Sequence, residues 1–288
     1  MKILITGGCG QLGRSLKDVA TSYPQHDFIH TDIDTLDITD YRRVDSFIAQ
    51  QRPDVMINCA AYTAVDTAEN DPEQALRLNA EVVETLAQIA RRENIFLVHI
   101  STDYVFNGKG FRPYNEDHAT APVSVYGKTK LLGEQAVLRH RCHSAIVRTS
   151  WLYSEYGTNF VKTMLRLGEE QQQINVVNDQ IGTPTCALDL AEAIMQIVSR
   201  KDLVEQTQIY HFSNEGIASW YDFAKAIMEL GNRPCEVLPV ATEQYPTPAQ
   251  RPFYSVLDKQ KIKSRFSLTI PYWKKSLEAC IERISKGQ

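Results

Sequence analysis

Paired cysteines are missing from this sequence: Cys9, Cys59, Cys142, Cys186, Cys235 and Cys280 are scattered, with no Cys-x-x-Cys and no Cys/His cluster at zinc-ligand spacing. A zinc ribbon and a dithiol redox motif are thereby excluded, and the cysteines read as free thiols of a reducing compartment. Charge of one sign is also scarce. The 31 Lys and Arg face 35 Asp and Glu for a net charge of -4, and no basic run is interleaved with aromatics, so nucleic acid is not an expected partner. Long hydrophobic runs are absent too. MKILITGG falls short of the roughly 7 to 15 apolar residues of a signal sequence, and nothing reaches the ~18 of a membrane span. No membrane partner is expected, and the cytoplasm is the expected location.

What is present is alternation. Apolar runs (KILIT, FIHTD, DVMINCA, IFLVHIST, SAIVRTS) are separated by helical patterns (QLGRSLKDVATSY, YRRVDSFIAQQR, EQALRLNAEVVETLAQIARREN, VYGKTKLLGEQAVLRHR). Such βαβ repetition predicts a parallel sheet with both faces covered by helices. In residues 72–94, Ala75, Leu78, Val82, Leu86, Ile89 and Ala90 recur at three- and four-residue steps and predict one helix with a buried face, capped by Asp71 and carrying Pro72 in its first turn. Beyond Ser150 the helices and strands become irregular and prolines accumulate. The expected fold is α/β: a Rossmann-type doubly wound parallel sheet over residues 1–150, with a smaller mixed α/β substrate region over 151–288, some of whose elements pack back on the first.

GGCGQLG places Gly7, Gly10 and Gly13 between the first strand and the first helix. There the first glycine permits a tight turn, the second lets backbone approach a pyrophosphate, and the third lets helix lie on strand. The phosphates would rest on the helix N-terminus. Asp32, about 20 residues on, stands where an acid accepts from an adenosine ribose hydroxyl. Its bland alternative is a solvated loop acid, since Asp34, Asp37 and Asp40 crowd the same stretch.

Tyr126 and Lys130 lie four apart on the helix after IFLVHIST, so both side chains leave one face. A phenol can pass its proton to a nascent alkoxide if the phenolate is tolerable, and a nearby ammonium is expected to lower the Tyr126 pKa. Thr102 or Ser101, at the carboxyl end of the fourth strand, would polarise the carbonyl. A second Tyr-x-x-x-Lys pair, Tyr221 and Lys225, has no such strand end upstream; Ser219 is expected to cap its helix, leaving Tyr221 a packing role.

With these motifs go NCAAYTAVDTAE, HISTDYVFNG, PVSVYGKTKLLGEQ, VRTSWLY, NFVKTMLRL, NDQIGTPT and PTPAQRP. Together they make the chain resemble the extended short-chain dehydrogenase/reductases, and among these the dTDP-4-dehydrorhamnose reductase family. The resemblance implies reduction of a dTDP-linked 4-keto-6-deoxysugar by NADPH or NADH. It also implies roles for Gly10, Gln11 and Leu12 at the pyrophosphate, and for Asp32, Asp37 and Ile38 around the adenosine. Ala61, Tyr62 and Thr63 would lie along the cofactor, and Thr102, Tyr126 and Lys130 would do the chemistry. Thr102, Asp103 and Trp151 would meet the sugar, and Arg251 the nucleotide diphosphate. Trp151 reads equally as core, and Arg251 as the partner of a surface acid. Some members join subunits through magnesium held by acids on the first helix and on the helix after NDQ; here Arg14, Ser15 and Leu188 stand at those places, with Asp189 and Glu192 nearby, so no metal is expected. Asp32 would repel a 2′-phosphate, leaving Arg14 as the nearest cation, and both cofactors stay open. Other readings are a nucleotide-sugar epimerase or dehydratase of the same fold, or a non-catalytic dinucleotide-binding regulatory subunit. Monomer and homodimer are both compatible with the sequence.

Overall fold

Strand β1 (Lys2–Thr6) is apolar through its centre and buried at every residue but the first. A computed structural model describes residues 1–287. In chain order there follow α1 (Gln11–Ala20), β2 (Asp27–His30), α2 (Tyr41–Gln51), β3 (Val55–Asn58), α3 (Val65–Ala68), α4 (Pro72–Leu76), α5 (Val82–Arg92), β4 (Phe96–Thr102), α6 (Val125–His140) and β5 (Ser144–Thr149). Next come β6 (Leu152–Tyr153), α7 (Phe160–Glu170), β7 (Gln173–Val177), β8 (Ile181–Gly182), β9 (Thr185–Cys186) and α8 (Ala187–Ser199). The chain continues through β10 (Thr207–His211), β11 (Ala218–Ser219), α9 (Trp220–Leu230), β12 (Glu236–Val240), α10 (Gln260–Phe266) and α11 (Trp273–Lys286).

The main sheet runs β2-β1-β3-β4-β5-β10, and every pairing in it is parallel. From β1 the chain moves outward to β2 and then crosses back to β3, so the order reverses between β1 and β3. In open α/β sheets the crevice at such a reversal, beyond the carboxyl ends of the strands, is where ligands bind. One face of the sheet is covered by side chains of α1 and α8 (Leu12, Leu16, Leu190, Ile194) together with Phe266 of α10. Residues of α2, α5 and α6, among them Val44, Leu86 and Val137, cover the other. A third core, around Tyr153, Phe223, Trp273 and Leu277, joins α7, α9 and α11. Both α8 and β10 lie beyond residue 150 in the chain, yet α8 covers the main sheet and β10 is its last strand.

The helix expected over 72–94 is interrupted. Asp71 caps α4 through Gln74 N and Pro72 sits in its first turn, but Arg77–Glu81 forms a wide π-type turn before α5 begins. A single inserted residue leaves the apolar spacing nearly intact, so periodicity does not reveal it. Strand β2 stops at His30, which leaves Asp32 in the following turn rather than at the strand end itself. Ser219 caps α9 in a reciprocal box with Asp222. Among the described residues, no helix is long and apolar enough to cross a membrane.

Candidate active site

The glycine loop closes on itself at the reversal point. Gly7 has φ of +65°, and a Cβ there would lie 2.7 Å from Ala60 N; a Cβ on Gly13 would collide with Gly7 O. Gly8 N donates to Thr31 O (2.8 Å) and Gly10 N to Gly7 O (3.1 Å). No side chain caps α1, so the first-turn amides at Gln11, Leu12 and Gly13 are available to an anion, which the helix dipole also favours. The cradle fits a dinucleotide pyrophosphate: backbone approaches where any Cβ would intrude. The side chain of Gln11 turns elsewhere, its Oε1 accepting from Ser154 Oγ (3.0 Å) and Asn159 Nδ2 (2.9 Å).

Asp32 braces this loop. Its Oδ2 accepts from Cys9 N (2.7 Å) and its Oδ1 from Ile33 N (2.8 Å), and each oxygen keeps a lone pair for a further donor. Asp37 accepts from both Thr39 N (2.9 Å) and Thr39 Oγ1 (2.8 Å), which hold its carboxyl below the usual range. Ile38 is buried beside it. The Arg14 guanidinium lies 4.4 Å from the centre of the Tyr156 ring, and Tyr156 in turn donates to Asp18 (2.7 Å).

Ala61, Tyr62 and Thr63 follow β3. Tyr62 N donates to Asn79 Oδ1 (2.9 Å) and Asn79 Nδ2 to Tyr62 O (3.0 Å). Asn79 is wholly buried in the wide turn, and its Nδ2 also reaches Thr129 Oγ1 (3.2 Å) on α6. Sequence reasoning missed this residue. The one signal was an amide four residues after Ala75, on a face otherwise apolar.

Of the two hydroxyls at the end of β4, Thr102 is the one that lies close enough to Tyr126 to act on its phenol. Its Oγ1 also donates to Asp103 Oδ1 (3.0 Å) and accepts from Tyr104 N (3.2 Å). Ser101 donates instead to Glu134 (2.5 Å), which makes a buried ion pair with Arg148 (2.7 Å). Lys130 donates to Ile100 O (2.6 Å). Burial pulls its ammonium down to about 8, against the opposing charge of Glu134. Burial also pushes the Tyr126 phenol up to about 12, the Thr102 hydroxyl lowering it and the Asp103 charge raising it. The expected lowering of Tyr126 by Lys130 is therefore not seen: desolvation is the largest effect on the phenol, and the ammonium is committed to Ile100 O.

Asp103 is buried, which pushes its carboxyl up to about 6 against the Ser255 and Thr102 hydroxyls. Its Oδ2 has no hydrogen-bond partner among the described residues. Trp151 has φ of +47°, a conformation uncommon for a side chain of that bulk, and stacks on Trp220 with ring centres 3.6 Å apart. A Cβ on Gly182 would come within 2.7 Å of Trp151 Cε2 and 2.9 Å of Ser255 Oγ. Trp151, Gly182, Ser255 and Asp103 thus form one continuous wall. Arg251 makes a two-pronged pair with Asp66, at 3.0 and 2.7 Å, the acid-paired alternative. Its charge also acts on the Tyr104 hydroxyl, and the Tyr104 ring meets Tyr126 edge-on at 5.5 Å. Tyr221 packs against the third core.

The sequence matches the model of the RmlD substrate binding domain family over residues 1–286. The chain belongs to that family. Among RmlD relatives, the dTDP-4-dehydrorhamnose reductase of Aggregatibacter actinomycetemcomitans is 42% identical over 96% of this chain and 97% of its own length. The spore coat polysaccharide biosynthesis protein SpsK of Bacillus subtilis is 40% identical over 99% of each. The solved dTDP-4-dehydrorhamnose reductase of Bacillus anthracis, a complex with NADP, superposes with a TM-score of 0.93 at 40% identity, over 98% of this chain and 99% of that one. A Thermus thermophilus UDP-glucose 4-epimerase, at 16% identity and a TM-score of 0.82, shares the fold alone.

Asp189 accepts from Asn214 Nδ2 and Ser276 Oγ, each at 2.5 Å. Among the described residues, no group of three or more His, Cys, Asp or Glu is placed to hold a metal ion.

Proposed function

We propose that this chain reduces the 4-keto group of dTDP-4-dehydro-β-L-rhamnose to give dTDP-β-L-rhamnose, using NADPH or NADH. The observation that carries the reading is the convergence of Tyr126 and Lys130, one helical turn apart on α6, on the carboxyl end of β4, where Lys130 donates to Ile100 O (2.6 Å) and Thr102 lies by the phenol, beside the glycine cradle. Residues 1–150 hold mainly the dinucleotide and 151–288 mainly the nucleotide sugar. The enzyme works in the cytoplasm as a monomer or homodimer.

The nicotinamide, when bound, supplies a hydride. Thr102 polarises the carbonyl through its hydroxyl, and Tyr126, kept protonated at neutral pH by burial, gives its proton to O4. Lys130, anchored on Ile100 O, keeps two N–H donors for the nicotinamide ribose hydroxyls. Trp151 and Asp103 hold the deoxysugar, and Arg251 meets the diphosphate. Gln11 and Leu12 offer backbone amides to the pyrophosphate and Gly10 lets it approach the backbone closely, while Asp32, Asp37 and Ile38 border the adenosine and Ala61, Tyr62 and Thr63 the rest of the dinucleotide. An epimerase or dehydratase must first oxidise its sugar and so keeps its dinucleotide bound, whereas a reductase exchanges it at each turnover. Relatives near 40% identity over almost the whole chain carry the reductase name. The test is to incubate the pure protein with NADPH or NADH and dTDP-4-dehydrorhamnose. Stoichiometric loss of nicotinamide absorbance with formation of dTDP-rhamnose supports the assignment; no consumption with either cofactor refutes it.

A further inference from the structure

Asp66 lies in α3, three residues after Thr63, in the segment that Asn79 holds beside the crevice. Its carboxylate does three things at once. Oδ1 accepts from Arg251 Nη1 (3.0 Å) and from Ala249 N (3.1 Å), and Oδ2 accepts from Arg251 Nη2 (2.7 Å). Arg251 Nη1 also donates to Ala249 O (3.3 Å), to which Thr247 Oγ1 donates in turn (2.9 Å). The proline-rich loop is thereby folded around one carboxylate that belongs to a distant part of the chain.

As a stability device the pair is weak: the two side chains are 22% and 40% exposed, and ion pairs in such water-accessible places contribute little. Its geometric effect is larger. A guanidinium has five N–H donors in one plane, and those committed to Asp66 and Ala249 fix the direction of the rest. The Tyr104 hydroxyl feels the Arg251 charge, and the Tyr104 ring touches the proton donor Tyr126, so the fixed guanidinium stands at the rim of the reacting centre.

We propose that Asp66 is a positioning residue, holding Arg251 and its loop at the substrate entrance and tying them to the segment beside the cofactor. The proposal rests on the reading of Arg251 as the partner of the nucleotide diphosphate. Asp66 acts through Arg251 and Ala249, the groups its carboxylate holds.

The test uses the full chain as wild type, Asp66→Asn, Arg251→Ala and the double variant, with dTDP binding measured by calorimetry alongside KM and kcat for the sugar at saturating NADPH. Loss of a fixed charged contact predicts that Asp66→Asn raises both the dTDP Kd and the sugar KM about 10-fold, with kcat within about 2-fold of wild type. The NADPH Kd should not move. In the Arg251→Ala background the same change should cost less than about 2-fold, because its effect runs through Arg251. Unchanged or tighter dTDP binding in Asp66→Asn overturns the proposal, tighter binding marking the pair as a latch against substrate. It is equally overturned by a full multiplicative loss in the double variant, or by an Arg251→Ala variant that binds dTDP normally. If wild type binds dTDP but does not turn over the keto sugar, the assigned reaction fails, and the binding measurements still decide the role of Asp66.

Discussion

Two tyrosines in this chain precede a lysine by four residues, and their surroundings give them opposite prospects. Tyr126 stands beside Thr102 at the end of β4, whereas Tyr221 lies in the first turn of a capped helix and packs on the third core. Tyr126→Phe should lower kcat at least ~100-fold without changing the melting temperature, and Tyr221→Phe should leave kcat within about 2-fold. Comparable losses in the two variants would remove Tyr126 from the chemistry. The pH profile offers a second check. With the phenol near 12 and the Lys130 ammonium near 8, Lys130 is the first of these two to lose its proton as pH rises. The basic limb of kcat/KM for reduction should therefore have an apparent pKa of about 8, and Lys130→Arg should carry that limb upward, because a guanidinium stays charged. A limb that ignores this substitution belongs to another group. Tyr126, Lys130 and the glycines were legible in the sequence because their spacing is local and a strand–turn–helix context fixes it. Asp66 and Arg251, 185 residues apart, were not: nothing in either segment names its partner, and Arg251 read equally well as a ligand contact or an ion pair.

At the level of elements, the alternation of apolar runs and helical patterns already contained the main strands and their order of appearance. The wide turn between α4 and α5 was invisible, and it sets the distance between α5, α6 and the Tyr62 segment. Gly133 on α6 faces that turn, and a Cβ there would collide with Asn79 O. Gly133→Ala should push the two elements apart, costing about 1 to 3 kcal/mol of stability as overpacking usually does. It should also weaken NADPH binding, because Asn79 clamps both backbone groups of Tyr62. Thermal unfolding and cofactor titration would check this; a variant of wild-type stability and affinity would show that the contact yields freely.

At the scale of the whole molecule, the sequence places every motif of the dinucleotide site within residues 1–150 and leads one to expect that some later elements pack back on them, without saying which. The sheet identifies them. Its last strand is β10, and the cover of one face includes α8; both come from the second half, where short strands and prolines hid the pairing. Removing them would uncover β5, buried at all six of its positions, as an open apolar edge of the kind that templates association. A chain ending at residue 150 should accordingly appear in the void volume or the pellet rather than as a monomer on gel filtration. The same feature bears on how the protein is born. On the ribosome, roughly 60 residues must emerge after β5 before β10 can pair with it, an interval of about 3 to 12 s at ordinary elongation rates. During that interval the nascent sheet is a natural client for a holding chaperone, and slow codons placed between β5 and β10 would lengthen its exposure.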